Sequence, residues 1–305
     1  MIAREEHVPL DRYSTLHVGG AARYFTRVAT LDDLRAALSW AEEKGLPWFM
    51  LGGGANFFCR PDGFPGLVIK IECRNVEVEK AEGRKEKGAL TAEAGVVTRI
   101  AVLKAVEAGL KGIEHLAGIP GTIGGAVRGN AGAFGTETKD FLTTTHVVRR
   151  TKHGWEEDVL PRAQLFFAYR DSTFKREPHG YVVWSATFSL PTGDPATPLG
   201  VHRAEGERLV AEDLATRKAT QPYDFPSVGS IFKNPSVAQP AGKLIEGVGL
   251  KGFRVGGAQI SEKHANFIVN RGSAGARDVL DLIAEAKKRV YDTAGVALEE
   301  EIVVL

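Results

Sequence analysis

Two dense clusters of glycine constrain this chain more than any other feature. The first, Leu51-Gly52-Gly53-Gly54-Ala55-Asn56, follows the short apolar run Pro47–Leu51. The second spans Gly112 to Gly135 and contains Gly118-Ile119-Pro120-Gly121-Thr122-Ile123-Gly124-Gly125-Ala126. Successive glycines let backbone N–H groups turn toward an anion with no Cβ in the way. Read blandly, the first cluster is a tight turn. The second reads equally well as close helix–sheet packing or as bare backbone for a flat ligand beside a helix start. Two such loops in one chain point to a large two-ended ligand, such as a dinucleotide.

The chain has 305 residues, enough to bury a core without metal or disulfide staples. Its 43% hydrophobic and 25% charged content excludes disorder, collagen and coiled coil as the main architecture. Lys and Arg (39) balance Asp and Glu (38), so no basic nucleic-acid footprint is written in the totals and no nucleic-acid partner is expected. Cys59 and Cys73 allow one disulfide at most. The eight histidines lack ligand spacing, so no metal is expected. No apolar run approaches a membrane span and the N-terminus lacks a leader pattern, so the expectation is a cytoplasmic protein without membrane insertion.

Thr30 to Gly45 is predicted as a helix, with Thr30 as N-cap, Leu31, Leu34, Leu38 and Ala41 on one face and Gly45 past its end. Strands are expected at Pro47–Leu51, Leu67–Ile71, Thr145–Arg150, Tyr181–Leu190, Phe267–Val269 and Glu301–Leu305, with a charged hairpin edge at Glu77–Lys87. Further helices are expected over Thr98–Ala108, His202–Lys218 and Ala276–Tyr291, and Gly193–Gly200 reads as a linker. The layout is α+β in three pieces: residues 1–75, 76–200 and 201–305.

Two local patterns are set aside. Gly247-Val248-Gly249-Leu250-Lys251-Gly252 matches G-x-G-x-x-G but follows a helix-like run and leads into a strand-like one, the reverse of the dinucleotide-binding order. Ser172-x-x-Lys175 and Ser230-x-x-Lys233 match the S-x-x-K of serine acyl-transfer enzymes without that class's companion motifs. Three polar sites remain: Tyr169-Arg170-Asp171-Ser172; the loop Pro226–Pro235 with Ser230, Lys233 and Asn234; and the acidic run Glu299-Glu300-Glu301. Each is more often an ion pair, a capped loop or a solvated face. Strand alternation would nevertheless turn one or two of those acids inward.

At these residues the chain resembles the bacterial UDP-N-acetylenolpyruvoylglucosamine reductases, also called UDP-N-acetylmuramate dehydrogenases. The motifs occur in order: STLHVGGAARYF from Ser14, LGGGANFF from Leu51, the block Glu114–Gly135, YRDSTFK from Tyr169, PSVGSIFKNP from Pro226, AGKLIEGVGLKGFRVGGAQISEKHANFIVN from Ala241 and LEEEI from Leu298. The resemblance implies a two-part FAD-binding unit of the vanillyl-alcohol-oxidase type (residues 1–75 and 76–200) plus a third, α/β substrate-binding domain (201–305). It implies FAD as cofactor, with Gly52, Gly53, Gly54, Ala55 and Asn56 and with Gly118, Gly121, Thr122, Gly124, Gly125 and Ala126 around it. NADPH would be the reductant, and the enolpyruvyl ether of UDP-N-acetylglucosamine the substrate, in peptidoglycan precursor synthesis by a monomer.

By the same resemblance Arg170, Ser230 and Glu301 take the catalytic positions. Hydride from flavin N5 would reach C3 of the enolpyruvyl group, Arg170 would stabilise the enolate, and Ser230 would protonate C2. Glu301 would orient the carboxylate surroundings through Arg170 or a water. Tyr169, Lys233, Asn234 and Gln259 are the implied substrate contacts. The chain departs from the pattern at Ala55, where the family shows serine, and at Glu300, where it often shows proline, which leaves Glu299 as the alternative acid. The Arg170–Ser230 spacing resembles the shorter branch, which lacks a tyrosine-bearing inserted loop.

Overall fold

Thr30 opens the first helix as its pattern predicts. In the computed structural model, which describes residues 2–80, 86–194 and 196–305, the helix spans Leu31–Glu43. Thr30 Oγ1 accepts the Asp33 N–H at 3.1 Å, and Gly45 beyond its end is left-handed at φ +62°. Leu34, Ala37, Leu38 and Ala41 are its buried face. The apolar run that follows is the strand Trp48–Leu51.

The chain divides into two compact units, each discontinuous in sequence. One comprises Met1–Arg4, Thr26–Gly53 and Val68–Thr216, the other Glu5–Phe25, Gly54–Leu67 and Arg217–Leu305. This grouping cuts through the contiguous stretch 1–75, because the strands Ala21–Val28 and Phe64–Ile71 each carry the chain from one unit into the other.

The first unit is built on a five-stranded antiparallel sheet in the order Gly154–Pro161, Leu142–Thr151, Tyr181–Pro191, Lys87–Glu93, Val76–Glu79. Along Tyr181–Pro191, Val182, Trp184, Ala186, Phe188 and Leu190 are buried, the period-2 pattern of a strand with one face in the core. The expected charged hairpin is the pair Val76–Glu79 and Lys87–Glu93, and its tip, residues 81–85, lies outside the described residues. Gly154–Pro161 was not foreseen: its exposed acids break the apolar alternation that marks a strand. The helix Thr98–Glu107 ends at left-handed Gly109. The helix Ile123–Gly129 arises from the second glycine cluster and packs on Tyr181–Pro191. The charged helix begins at Leu199, inside the expected linker, and runs to Thr220, handing the chain to the second unit.

In the second unit a four-stranded antiparallel sheet runs Ser227–Ser230, Phe267–Asn270, Ala258–Ile260, Arg254–Val255. The helix Ala276–Ala294 buries Ala276, Val279, Leu282, Ile283, Ala286 and Val290 in a cluster that also holds Leu16, Phe58, Val228 and Ile268. Val279, Leu282, Ile283, Ala286 and Val290 recur at the 3.6-residue spacing of one helix face, and Ala276 joins them at its start. The G-x-G-x-x-G match lies between the helix Ala241–Gly247 and the strand Arg254–Val255, so helix precedes strand, as its flanks indicate. The expected strand Glu301–Leu305 contracts to Val303–Val304, which pairs in parallel with Phe57–Phe58. Glu300, just before it, bridges to Phe232 instead. Cys59 and Cys73 are free and buried, and burial pushes both thiols up to about 11. No helix among the described residues is long and apolar enough to cross a membrane.

Candidate active site

In the first unit the two glycine clusters meet. The strand Trp48–Leu51 delivers Gly52 and Gly53 against the start of the helix Ile123–Gly129. A Cβ on Gly53 would fall 2.9 Å from Gly121 Cα, and one on Gly52 would fall 2.6 Å from Thr122 Oγ1. The Lys70 ammonium donates to the Gly52 carbonyl and fixes the loop from below, while burial lowers its pKa. Thr122 is 5% exposed, and its buried Oγ1 has no hydrogen-bond partner among the described residues. Gly52, Thr122, Gly124 and Gly125 line a cavity of about 140 Å³.

The two readings of the second cluster are both realised, by different residues. Gly124 serves packing: its N–H bonds the Ala94 carbonyl at 3.0 Å, and a Cβ on it would press on Ala94 at 2.8 Å. Gly125 is exposed, with no neighbour nearer than 3.9 Å to such a Cβ, and faces the cavity. Gly118 is buried in the turn before Pro120, and Ala126 is a buried helix residue bonded to the Thr122 carbonyl at 2.8 Å.

The far end of the same helix carries Arg170. Asn130 caps the helix in the left-handed region at φ +43°, fully buried. Its Nδ2 donates to the Ala168 carbonyl at 2.9 Å and to Glu137 Oε2 at 3.0 Å, and its Oδ1 accepts the Lys139 N–H at 3.1 Å. Ser172 Oγ, wholly buried, donates to the Arg128 carbonyl at 2.7 Å. That bond occupies the hydroxyl and removes Ser172 as a nucleophile. Between these bolts the Tyr169–Arg170 turn is pinned. Arg170 is held at φ +54°, donates Nη2 to the Gly132 carbonyl at 2.9 Å and lies 5.2 Å from the Tyr169 ring. A non-glycine residue held left-handed stores strain that the surroundings must offset, and such residues gather at functional sites. Asn130→Ala is expected to cost about 2–4 kcal/mol, because a fully buried side chain loses three hydrogen bonds at once. The shift of a urea denaturation midpoint measures it, and a loss below about 0.5 kcal/mol would remove Asn130 as the bolt.

The second unit gathers the other candidates. Gly54 starts here, followed by buried Ala55 and exposed Asn56. Thr15 joins this loop to the serine strand: its N–H bonds the Gly54 carbonyl at 3.0 Å, and its Oγ1 donates to the Ser227 carbonyl at 2.6 Å. Between Ser227 and Ser230 the strand register shifts, with Gly229 left-handed at φ +80°. Such an irregularity re-aims a side chain. Ser230 Oγ makes no hydrogen bond to any described residue.

Glu301 is bonded next to that strand, its N–H to the Ile231 carbonyl at 2.8 Å, and its own carbonyl accepts from Asn56 Nδ2 at 3.2 Å. Asn266, 3% exposed, braces the serine loop by exchanging bonds with Phe232 at 3.0 and 2.8 Å. Of the neighbouring acids, Glu299 pairs with Lys233 and Glu300 with Lys287. Asn234 Oδ1 accepts the Ala241 N–H at 3.0 Å at the start of the helix Ala241–Gly247. Gln259 is 7% exposed and donates to the Gly252 carbonyl at 3.0 Å.

Thus Ser230 and Glu301 lie on bonded segments of one unit, and Arg170 lies in the other. Sequence reasoning missed Lys70, Asn130 and Thr15. Lys70 alone carried a signal, a lone cation in the apolar strand Phe64–Ile71.

The family described as FAD binding domain matches residues 22–152, and the UDP-N-acetylenolpyruvoylglucosamine reductase C-terminal domain matches residues 221–305. The UDP-N-acetylenolpyruvoylglucosamine reductase of Synechococcus sp. (strain WH7803) is 38% identical over 299 residues, covering 98% of this chain and 92% of that protein. The reductase of the same name from Lactobacillus delbrueckii subsp. bulgaricus (strain ATCC BAA-365 / Lb-18) is 39% identical over 299 residues, covering 98% and 94%. The crystal structure of UDP-N-acetylenolpyruvylglucosamine reductase from Thermus caldophilus matches with a TM-score of 0.78 at 35% identity, over 100% of this chain and 98% of that one. With full-length relatives well above 30% identity and both parts matched in order, the chain belongs to the UDP-N-acetylenolpyruvoylglucosamine reductase family.

Proposed function

We propose that this chain reduces the enolpyruvyl ether of UDP-N-acetylglucosamine to UDP-N-acetylmuramate with NADPH, as an FAD-dependent step of peptidoglycan precursor synthesis. The observation that carries the reading is the bond between the serine and glutamate segments, Glu301 N–H to the Ile231 carbonyl. Ser230 and Glu301, two of the three residues that the resemblance assigns to catalysis, thereby lie on adjacent backbone segments.

The residues present fit FAD. A cradle that a Cβ on Gly52 or Gly53 would fill, and a buried threonine hydroxyl without a partner, are what a phosphate-bearing ligand meets on bare backbone. Gly52–Asn56 and Gly118–Ala126 are assigned to hold it. Bound FAD supplies hydride chemistry between NADPH and carbon.

The chain's own groups do the rest. Arg170 presents a permanently charged, pinned guanidinium to the substrate carboxylate and to the negative charge that grows on it during reduction. Ser230 Oγ donates the proton to substrate C2. A hydroxyl is a weak acid, but an enolate-like carbon is strongly basic and the donor is fixed. Glu301 is assigned as the accompanying acid by its register in the motif at residues 298–302. Tyr169, Lys233, Asn234 and Gln259 are carried as substrate contacts. The bonds of Asn234 and Gln259 to their own loops favour a loop-shaping part in that contact.

The chain is assigned to the shorter branch on the spacing from Arg170 to Ser230 alone. The family's two-part FAD unit is assigned to residues 1–75 and 76–200 and its substrate domain to 201–305. The protein is taken as a cytoplasmic monomer.

The visible spectrum tests the proposal. Purified protein should be yellow, bleach with anaerobic NADPH and regain colour on addition of the enolpyruvyl sugar nucleotide. A colourless protein that FAD cannot reconstitute overturns it.

A further inference from the structure

One charged side chain in the first unit has no part in the proposed reaction. Arg128, on the helix Ile123–Gly129, lines the same cavity as Gly52, Thr122 and Gly125. The lining of the same cavity also includes the aromatic side chains of Trp48, Phe174 and Tyr181. Arg128 is half-buried, and arginines drawn into a cavity are commonly paired with a carboxylate. Among the described residues, none forms an ion pair or side-chain hydrogen bond with the Arg128 guanidinium; its recorded bond to Ser172 runs through its backbone carbonyl. Burial alone acts on it, disfavouring the charged form with no acid to offset it. Thr122, which lines the same cavity, has a buried Oγ1 with no partner among the described residues.

A desolvated cation and an orphaned hydroxyl in one cavity cost free energy, and an anion entering the cavity would offset both. The aromatic side chains in the lining suit a planar base. A cavity lined by both a cation and aromatic rings has the chemistry of a nucleoside diphosphate site. FAD, NADPH and the sugar nucleotide all carry that group. The glycine cradle shared with Gly52 and Thr122 selects FAD.

We propose that Arg128 is the counter-charge for the diphosphate of FAD, with Thr122 completing the anionic end of the cavity. This rests on the FAD-dependent reading above. It adds a cation to a loop whose glycines alone offer only backbone dipoles.

The test uses the full chain stripped of flavin, in wild-type, Arg128→Gln and Arg128→Lys forms. Flavin fluorescence gives Kd for FAD and for riboflavin, which lacks phosphate. Arg128→Gln should weaken FAD by about 10- to 100-fold, the usual worth of a charge-assisted hydrogen bond, and leave riboflavin unchanged. Arg128→Lys should recover most of that loss. ADP should compete with FAD in the wild type and lose its hold in Arg128→Gln, while the affinities for UDP and NADP⁺ stay the same.

A second readout guards against misfolding. Because Arg128→Gln removes a partly buried charge that no described acid compensates, the flavin-free variant should melt no lower than the wild type, and its Tm gain on saturation with FAD should be smaller. Unchanged FAD affinity, equal loss of FAD and riboflavin, a fall confined to UDP or NADP⁺, or a flavin-free variant that melts lower would each overturn the proposal. Failure of the wild type itself to bind FAD would instead overturn the reading on which it rests.

Discussion

Ser230→Ala is expected to leave bleaching of the flavin by NADPH intact while slowing recovery of colour by the enolpyruvyl substrate by at least about 10²–10⁴-fold, the usual worth of a positioned general acid. The substitution deletes one oxygen and nothing else. Ser230 meets Phe267 through its backbone, and its Oγ supports no bond within the described chain. Alanine therefore keeps the strand, the Gly229 irregularity and the Asn266 brace. The two half-reactions use different donors, and only the second needs a proton delivered to carbon. Stopped-flow absorbance separates them. If both phases slow by the same factor, Ser230 acts on binding or folding and its role as proton donor is lost. Ser172→Ala is the informative companion. Its hydroxyl is buried on the Arg128 carbonyl, so that change should cost stability, about 1–3 kcal/mol, without separating the two phases.

The contrast between these two serines shows what sequence could and could not resolve. Both sit in S-x-x-K, and local pattern ranks them equally. Their difference is long-range: Ser172 reaches Arg128, 44 positions away, while Ser230 is turned by a register shift against Phe267. Local periodicity served well where burial follows it. Val279, Leu282, Ile283, Ala286 and Val290 line the inner face of one helix, and Thr30 caps another. It served poorly where a short segment's partner is remote. The acidic terminal run reads as a five-residue strand, yet pairing is split between Phe232 for Glu300 and Phe57–Phe58 for the last valines.

Asn130 and Arg128 were hidden for a related reason. Each looks like an ordinary polar residue ending a glycine-rich helix. Only the fold shows Asn130 bonded to the Arg170 turn and Arg128 facing a cavity without an acid. The division into two units was illegible because it depends on where two strands hand over mid-length, and hydropathy along those strands does not change there.

Gly54→Ala is expected to give a folded but colourless protein, or one that binds FAD at least about 100-fold more weakly. Two independent penalties act. Gly54 is left-handed at φ +74°, which costs a residue with a Cβ about 1–2 kcal/mol. A Cβ there would also overlap the carbonyl oxygen of Tyr13, a backbone atom that cannot rotate away. Overpacking of that kind typically adds about 1–3 kcal/mol and is relieved by moving the loop. The loop is the one whose carbonyl holds the Thr15 N–H, so relief displaces the segment assigned to FAD.

Gly229→Ala separates the two penalties. Gly229 is equally left-handed, but a Cβ on it would meet nothing within 4 Å. It should lose only the conformational term, about 1–2 kcal/mol, and stay yellow. Urea denaturation of each flavin-free chain together with FAD titration makes the comparison. Equal FAD affinity in Gly54→Ala and wild type would show that this loop tolerates displacement and is not the cofactor's cradle. Loss of FAD from Gly229→Ala as well would trace the effect to backbone strain in general rather than to the collision at Tyr13.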